Sequence, residues 1–139
     1  MGLKFGTLEW GLKLKELVNS KKEFKKLGKD LTTTFSLGMA ACPEKGFPQG
    51  QAFFIKVKKG QVQDIELVSE KDPAGKKAEY VLNGPYENWV AVSNGALDPI
   101  EAITDKKFQV VSGDMRRLVK YIKHVNLMIA TMKEIDTQF

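Results

Sequence analysis

The stretch Leu31-Thr32-Thr33-Thr34-Phe35-Ser36-Leu37-Gly38-Met39 decides the fold. Leu31, Thr33, Phe35, Leu37 and Met39 alternate with Thr32, Thr34, Ser36 and Gly38, a period of two that places the large apolar side chains on one face of a β-strand. A turn-rich run from Pro43 to Gly50 follows. A second strand over Gln51–Lys58 then carries Phe53, Ile55 and Val57 on one face. Lys59-Gly60 predicts a tight hairpin into a third strand, Val62–Val68, with Ile65 and Leu67 pointing inward. Lys56 and Lys58 face outward, as do Asp64 and Glu66. Opposite charges on neighbouring strands are surface pairs of a sheet rather than a catalytic arrangement.

Upstream, residues from about Thr7 to Gly28 read as helix, with Leu8, Leu12, Leu17, Phe24 and Leu27 among its apolar positions. Asn19-Ser20 divides it, Ser20 with Glu23 matches a capping box, and Gly28 is the stop. Downstream, Lys71–Lys76 reads as a loop and Ala78–Leu82 as a fourth strand. Pro85 opens a short helix carrying Trp89 and Val92, which Asn94-Gly95 ends. Asp98 caps another, in which Ile100 and Ile103 share a face. Lys107–Val111 is a fifth strand. Gly113 turns the chain, Asp114 caps, and a last helix runs to about Ile135. Met115, Leu118, Ile122, Val125, Ile129 and Met132 recur along it in steps of three and four, the mark of an amphipathic helix.

These elements predict one α+β domain over residues 1–139. It contains a five-stranded, mainly antiparallel sheet with helices over one face and a long C-terminal amphipathic helix. At 139 residues, with 42% apolar and 28% charged side chains, the chain can build a core without disulfides or metals. Cys42 is the single cysteine, so no intrachain disulfide forms, and nothing nearby in sequence activates it as a nucleophile. There is no signal-peptide pattern, no run near the ~20 apolar residues of a membrane span, and no peroxisomal address; a cytoplasmic location is expected.

Much of the net charge of +5 lies in the first thirty residues, where Lys4, Lys13, Lys15, Lys21, Lys22, Lys25, Lys26 and Lys29 outnumber Glu9, Glu16, Glu23 and Asp30. Arg116 and Arg117 are the only arginines, and aromatics are not interleaved with the lysines, so nucleic acid is not an expected partner. A solvated face, weakly attracted to anionic membranes, is. No phosphate-binding loop, dinucleotide fingerprint, nucleophile elbow or metal-ligand cluster occurs. Asp98 and Asp114 read as helix caps, and the sole histidine, His124, as a solvated residue of the last helix. No catalytic residues, metal or cofactor are assigned.

From Ala78 to Met115 the order of motifs is more telling than any one of them. Ala78-Glu79-Tyr80-Val81-Leu82 is followed by Glu87-Asn88-Trp89, then Asn94-Gly95-Ala96-Leu97-Asp98-Pro99. Lys106-Lys107-Phe108-Gln109-Val110 and Gly113-Asp114-Met115 complete it. This succession resembles the sterol carrier protein (type 2) family, although Lys106 stands where the family usually has Gly. The resemblance implies an apolar cavity between the sheet and the helices, non-enzymatic lipid binding or transfer, and no cofactor. Fatty acids, acyl-CoA, phospholipids, isoprenoids and sterols all qualify as ligands. Alternation supplies the wall candidates: Phe35, Leu37, Phe53, Ile55, Tyr80, Leu82, Phe108 and Val110 from strands. Trp89, Ile100, Ile103, Met115, Leu118, Val119 and Ile122 come from helices. The alternative is an interaction module, with the last helix pairing with a second copy in a homodimer or with a larger enzyme.

Overall fold

Strand β2 (Thr33–Met39) is the centre of the sheet that its alternation predicts. The structure, a computed structural model, describes residues 2–69 and 78–139 without the side chains of Pro99, Ser112 and Met115. The loop expected at Lys71–Lys76 lies outside the described residues. The elements run β1 (Leu3–Lys4), α1 (Leu8–Asn19), α2 (Lys22–Leu27), β2, a 3-10 turn (Pro43–Lys45), β3 (Gln51–Lys58) and β4 (Gln61–Ser69). They continue with β5 (Tyr80–Gly84), α3 (Tyr86–Ser93), α4 (Pro99–Thr104), β6 (Gln109–Ser112) and α5 (Met115–Lys120). Then come α6 (Ile122–Ala130), a 3-10 turn (Thr131–Glu134) and β7 (Thr137–Gln138).

The sheet order is β4-β3-β2-β5-β6. Every neighbouring pair is antiparallel except β2 with β5, which is parallel. Register sets Ile55, Phe35 and Tyr80 in one row and Phe53, Leu37, Leu82 and Val110 in the next. Phe35, Leu37, Phe53, Ile55, Ile65, Tyr80 and Leu82 are buried, as the period-two reading expects, whereas Leu67, read as pointing inward, is 37% exposed on the edge strand β4. On the other face Lys56 stands opposite Asp64, and Glu66 opposite Phe54. Lys59 and Gly60 both take positive φ, 50° and 79°, as a two-residue hairpin of the mirror-image type requires.

The helices close that face. Thr7 caps α1, its hydroxyl accepting from Trp10 N at 3.3 Å, and Asp98 and Asp114 cap α4 and α5 as expected. Ser20 does not form the expected capping box. Its hydroxyl instead donates to Leu17 O at 2.7 Å, and Lys21 is the N-cap of α2. The buried stripe of α1 is Trp10, Leu14 and Val18, an i, i+4, i+8 series, whereas Leu8 and Leu12 are exposed. Gly11 lies in that stripe because a Cβ there would come within 2.8 Å of the Phe53 ring.

The last helix is divided at Tyr121 into α5 and α6, with the 3-10 turn extending its second part to Glu134. The two parts do different work. On α5, Arg117 bonds to the Glu79 carboxylate and reaches Thr32 O at 3.4 Å, tying the helix to the strand ends. On α6, His124, Val125, Met128 and Ile129 are buried against the rest of the chain. The apolar stripe that an interaction module would present is thereby covered by the protein's own core.

Candidate functional site

His124 is not the solvated residue expected from its neighbours Lys123 and Val125. Its ring is fully buried, stacks on Phe24 with centroids 4.0 Å apart, and bonds through Nε2 to Gly60 O at 3.0 Å. The carbonyl only accepts, so Nε2 donates, and Nδ1 is left buried without a partner. Burial holds the imidazole pKa below its usual value, partly offset by the bond to Gly60. Gly28 is glycine because a Cβ there would lie 2.5 Å from this ring. This is a structural pin joining α6, the end of α2 and the β3–β4 hairpin.

Cys42 is held in a small bridge with Phe47. Its thiol donates to Glu44 at 3.2 Å, and desolvation followed by the Glu44 carboxylate raises its pKa, the opposite of what activates a nucleophile. Among the described residues no group of three His, Cys, Asp or Glu is placed to hold a metal ion.

Between the covered face and the helices lies a void of about 20 Å³, measured as space open to the centre of a water. Its floor is Leu37 and Met39 from β2 with Ala52 and Phe53 from β3. Trp10, Trp89 and Met132 stand over it, and Phe5, Gly6 and Gln51 close one side. The two tryptophans are anchored by their indole N–H groups. Trp89 Nε1 donates to Gly38 O at 2.8 Å, and Trp10 Nε1 to Thr137 Oγ1 at 3.0 Å. Stacking of Trp10 on Phe53 at 5.7 Å and of Phe5 against Trp10 at 5.0 Å makes the walls largely aromatic. Such a void holds about one water.

Of the wall candidates, Leu37, Phe53 and Trp89 line this void. Phe35, Ile55, Tyr80, Leu82, Phe108 and Leu118 are buried in the same core. Tyr80 stacks on Phe35 at 5.4 Å. Ile103, Val110 and Ile122 are half-buried. Ile100 and Val119 are surface residues, 40% and 61% exposed. Val119 lies outside the three-four steps of the last helix, and it points outward. The Met115 side chain is outside the described ones.

Phe5, Gly6, Trp10, Met39, Gln51 and Ala52 were not among the wall candidates. Met39 shares the alternating face of Phe35, and Trp10 heads the buried series of α1. For Phe5, Gly6 and Gln51 no periodicity could have served.

Comparison with known proteins places this geometry. The SCP-2 sterol transfer family matches residues 13–125. A crystal structure of sterol carrier protein 2 superposes with a TM-score of 0.87 at 19% identity, covering 95% of this chain and 99% of that one. A protein from Thermus thermophilus, described as possibly a sterol carrier protein, gives 0.85 at 19% identity, over 99% of this chain and 93% of that one. The sterol carrier protein domain 2 of Helicoverpa armigera gives 0.59 at 17% identity, over 91% and 90%. Among curated protein sequences none matches the chain.

Proposed function

Because the chain belongs to the SCP-2 sterol transfer family, we propose that it binds a single lipid, without catalysis, in the apolar interior between its sheet and its helices. The observation that carries this reading is the void under Trp10 and Trp89. Its lining is apolar apart from the indole N–H groups and the Gln51 amide, so it suits an acyl, isoprenoid or sterol skeleton and offers no group for chemistry on it. Met132 in the wall can change rotamer to fit ligands of different shape.

Burial of each methylene is worth about 0.8 kcal/mol, so a tail of about ten carbons supplies about 8 kcal/mol before association and ordering costs. Micromolar affinity is the expected result. In the family, binding of this kind serves transfer or presentation of a lipid, and fatty acids, acyl-CoA, phospholipids, isoprenoids and sterols are the ligands to test.

Native mass spectrometry of the purified protein, followed by organic extraction, tests the reading. A discrete added mass identified as a lipid, or saturable micromolar binding of a fluorescent fatty acid, is expected. Folded protein that carries no lipid and binds none of these classes would rule it out.

A further inference from the structure

A void that holds about one water admits a lipid tail only if part of its lining moves, and any entry route into it rests on the lipid-binding reading. The lining is not held uniformly. Leu37, Met39, Ala52 and Phe53 stand in β2 and β3, whose ladder runs from Thr33–Val57 to Met39–Gln51 and continues into β4 and β5 on either side. Trp89 is tied by its indole to β2. Phe5 and Gly6 instead belong to a strap outside the main sheet.

That strap is a parallel ladder of two residue pairs, Leu3 with Thr137 and Lys4 with Gln138. Leu3 N donates to Asp136 O at 2.8 Å and Phe5 N to Gln138 O at 2.9 Å. Gln51 Nε2 donates to Gly6 O at 2.6 Å and latches the strap to β3. Gly6 fits the rim closely: its φ is +81°, and a Cβ would lie 2.9 Å from both Gln51 Nε2 and the Phe47 ring. The Phe5 ring, 5% exposed, plugs the void beside Trp10 and meets Tyr86 edge-on at 5.8 Å.

We propose that this strap, residues 3–6 with 135–138, is the gate of the lipid site. It opens as residues 3–6 part from 135–138 and from Gln51, Phe5 leaves the void, and an acyl tail enters along the vacated path between Gln51, Phe53 and Met132. Local opening is drawn from the segments with the fewest ladder bonds, and breaking the sheet under the void would cost far more of them.

The test locks the strap. Lys4 and Gln138 are exposed Cα partners in adjacent strands, so K4C/Q138C in a C42S background allows a disulfide without disturbing buried residues. Stopped-flow binding of cis-parinaric acid, a fluorescent fatty acid, is compared in the oxidised and reduced forms. Association and dissociation about tenfold slower in the oxidised form are expected, as for a lid held shut, with the reduced form matching the parent. Equal rates in both forms, with the bridge verified by mass, overturn the gate and leave lipid binding standing. Failure of the parent protein to bind the fatty acid, or any other lipid, overturns the binding reading itself. Phe5→Ala is the second variant: removing the plug speeds entry, and unchanged entry by a folded variant also overturns the gate.

Discussion

A single histidine gives this protein a residue-level signature that can be read without interference. His124 is neutral and buried, stacked on Phe24 and bonded to Gly60 O. Its pKa is depressed on folding, so below the unfolded value of about 6.5 the unfolded chain binds a proton that the folded chain refuses. Stability is therefore complete above about pH 6.5 and declines as pH falls through that value. Thermal melts should show a lower midpoint at pH 5.5 than at 7.5. In His124→Gln, which keeps a donor for Gly60 and cannot be protonated there, the difference should vanish. An unchanged slope in the variant would mean that the ring is solvated after all. Its burial was within reach of the sequence, since His124 lies four residues before Met128 on the stripe of α6. The polar neighbour Lys123 points away from that stripe.

At the scale of elements, α3 is tied directly to the sheet by one side chain. Trp89 Nε1 reaches across to Gly38 O near the end of β2, and the indole packs on Phe108 with centroids 4.4 Å apart. Replacing it by Phe keeps an aromatic ring but leaves the buried carbonyl without its donor, at a cost of about 1–3 kcal/mol. Chemical denaturation of Trp89→Phe should show that loss with little change in slope; a loss below about 0.5 kcal/mol, typical of an unimportant site, would mean α3 is held by packing alone. The elements of the main sheet followed from period and caps: its five strands come in the order read, the fourth and fifth displaced toward the C-terminus by one or two residues. The α1–α2 break and the caps at Asp98 and Asp114 are as read, while the β1–β7 pair was not foreseen. Leu8 and Leu12 illustrate what hydrophobicity alone leaves open. Both are leucines at helical spacing, yet the sheet selects the face carrying Trp10, Leu14 and Val18. That face presents Gly11 where Phe53 and Ile65 come closest.

On the scale of the whole molecule, a ligand that enters only the folded interior must stabilise it. At about a hundredfold excess over Kd, linkage gives about 2.7 kcal/mol, or a rise in Tm of roughly 5–10 °C for a chain of this size. A fatty acid or sterol that binds the exterior non-specifically would leave the midpoint unchanged, and differential scanning fluorimetry separates the two. The sequence by itself determined the α+β class, the covered face of the sheet and the order of motifs from Ala78 to Met115 that identifies the family. Those features are local: they depend on side-chain period, capping chemistry and turn residues within a few positions of one another. Only the tertiary structure decided where the interior is left open. A void is a shortfall in packing among residues distant in sequence, here Phe5, Gln51, Trp89 and Met132. No periodicity along the chain records whether such side chains meet around a space or fill it.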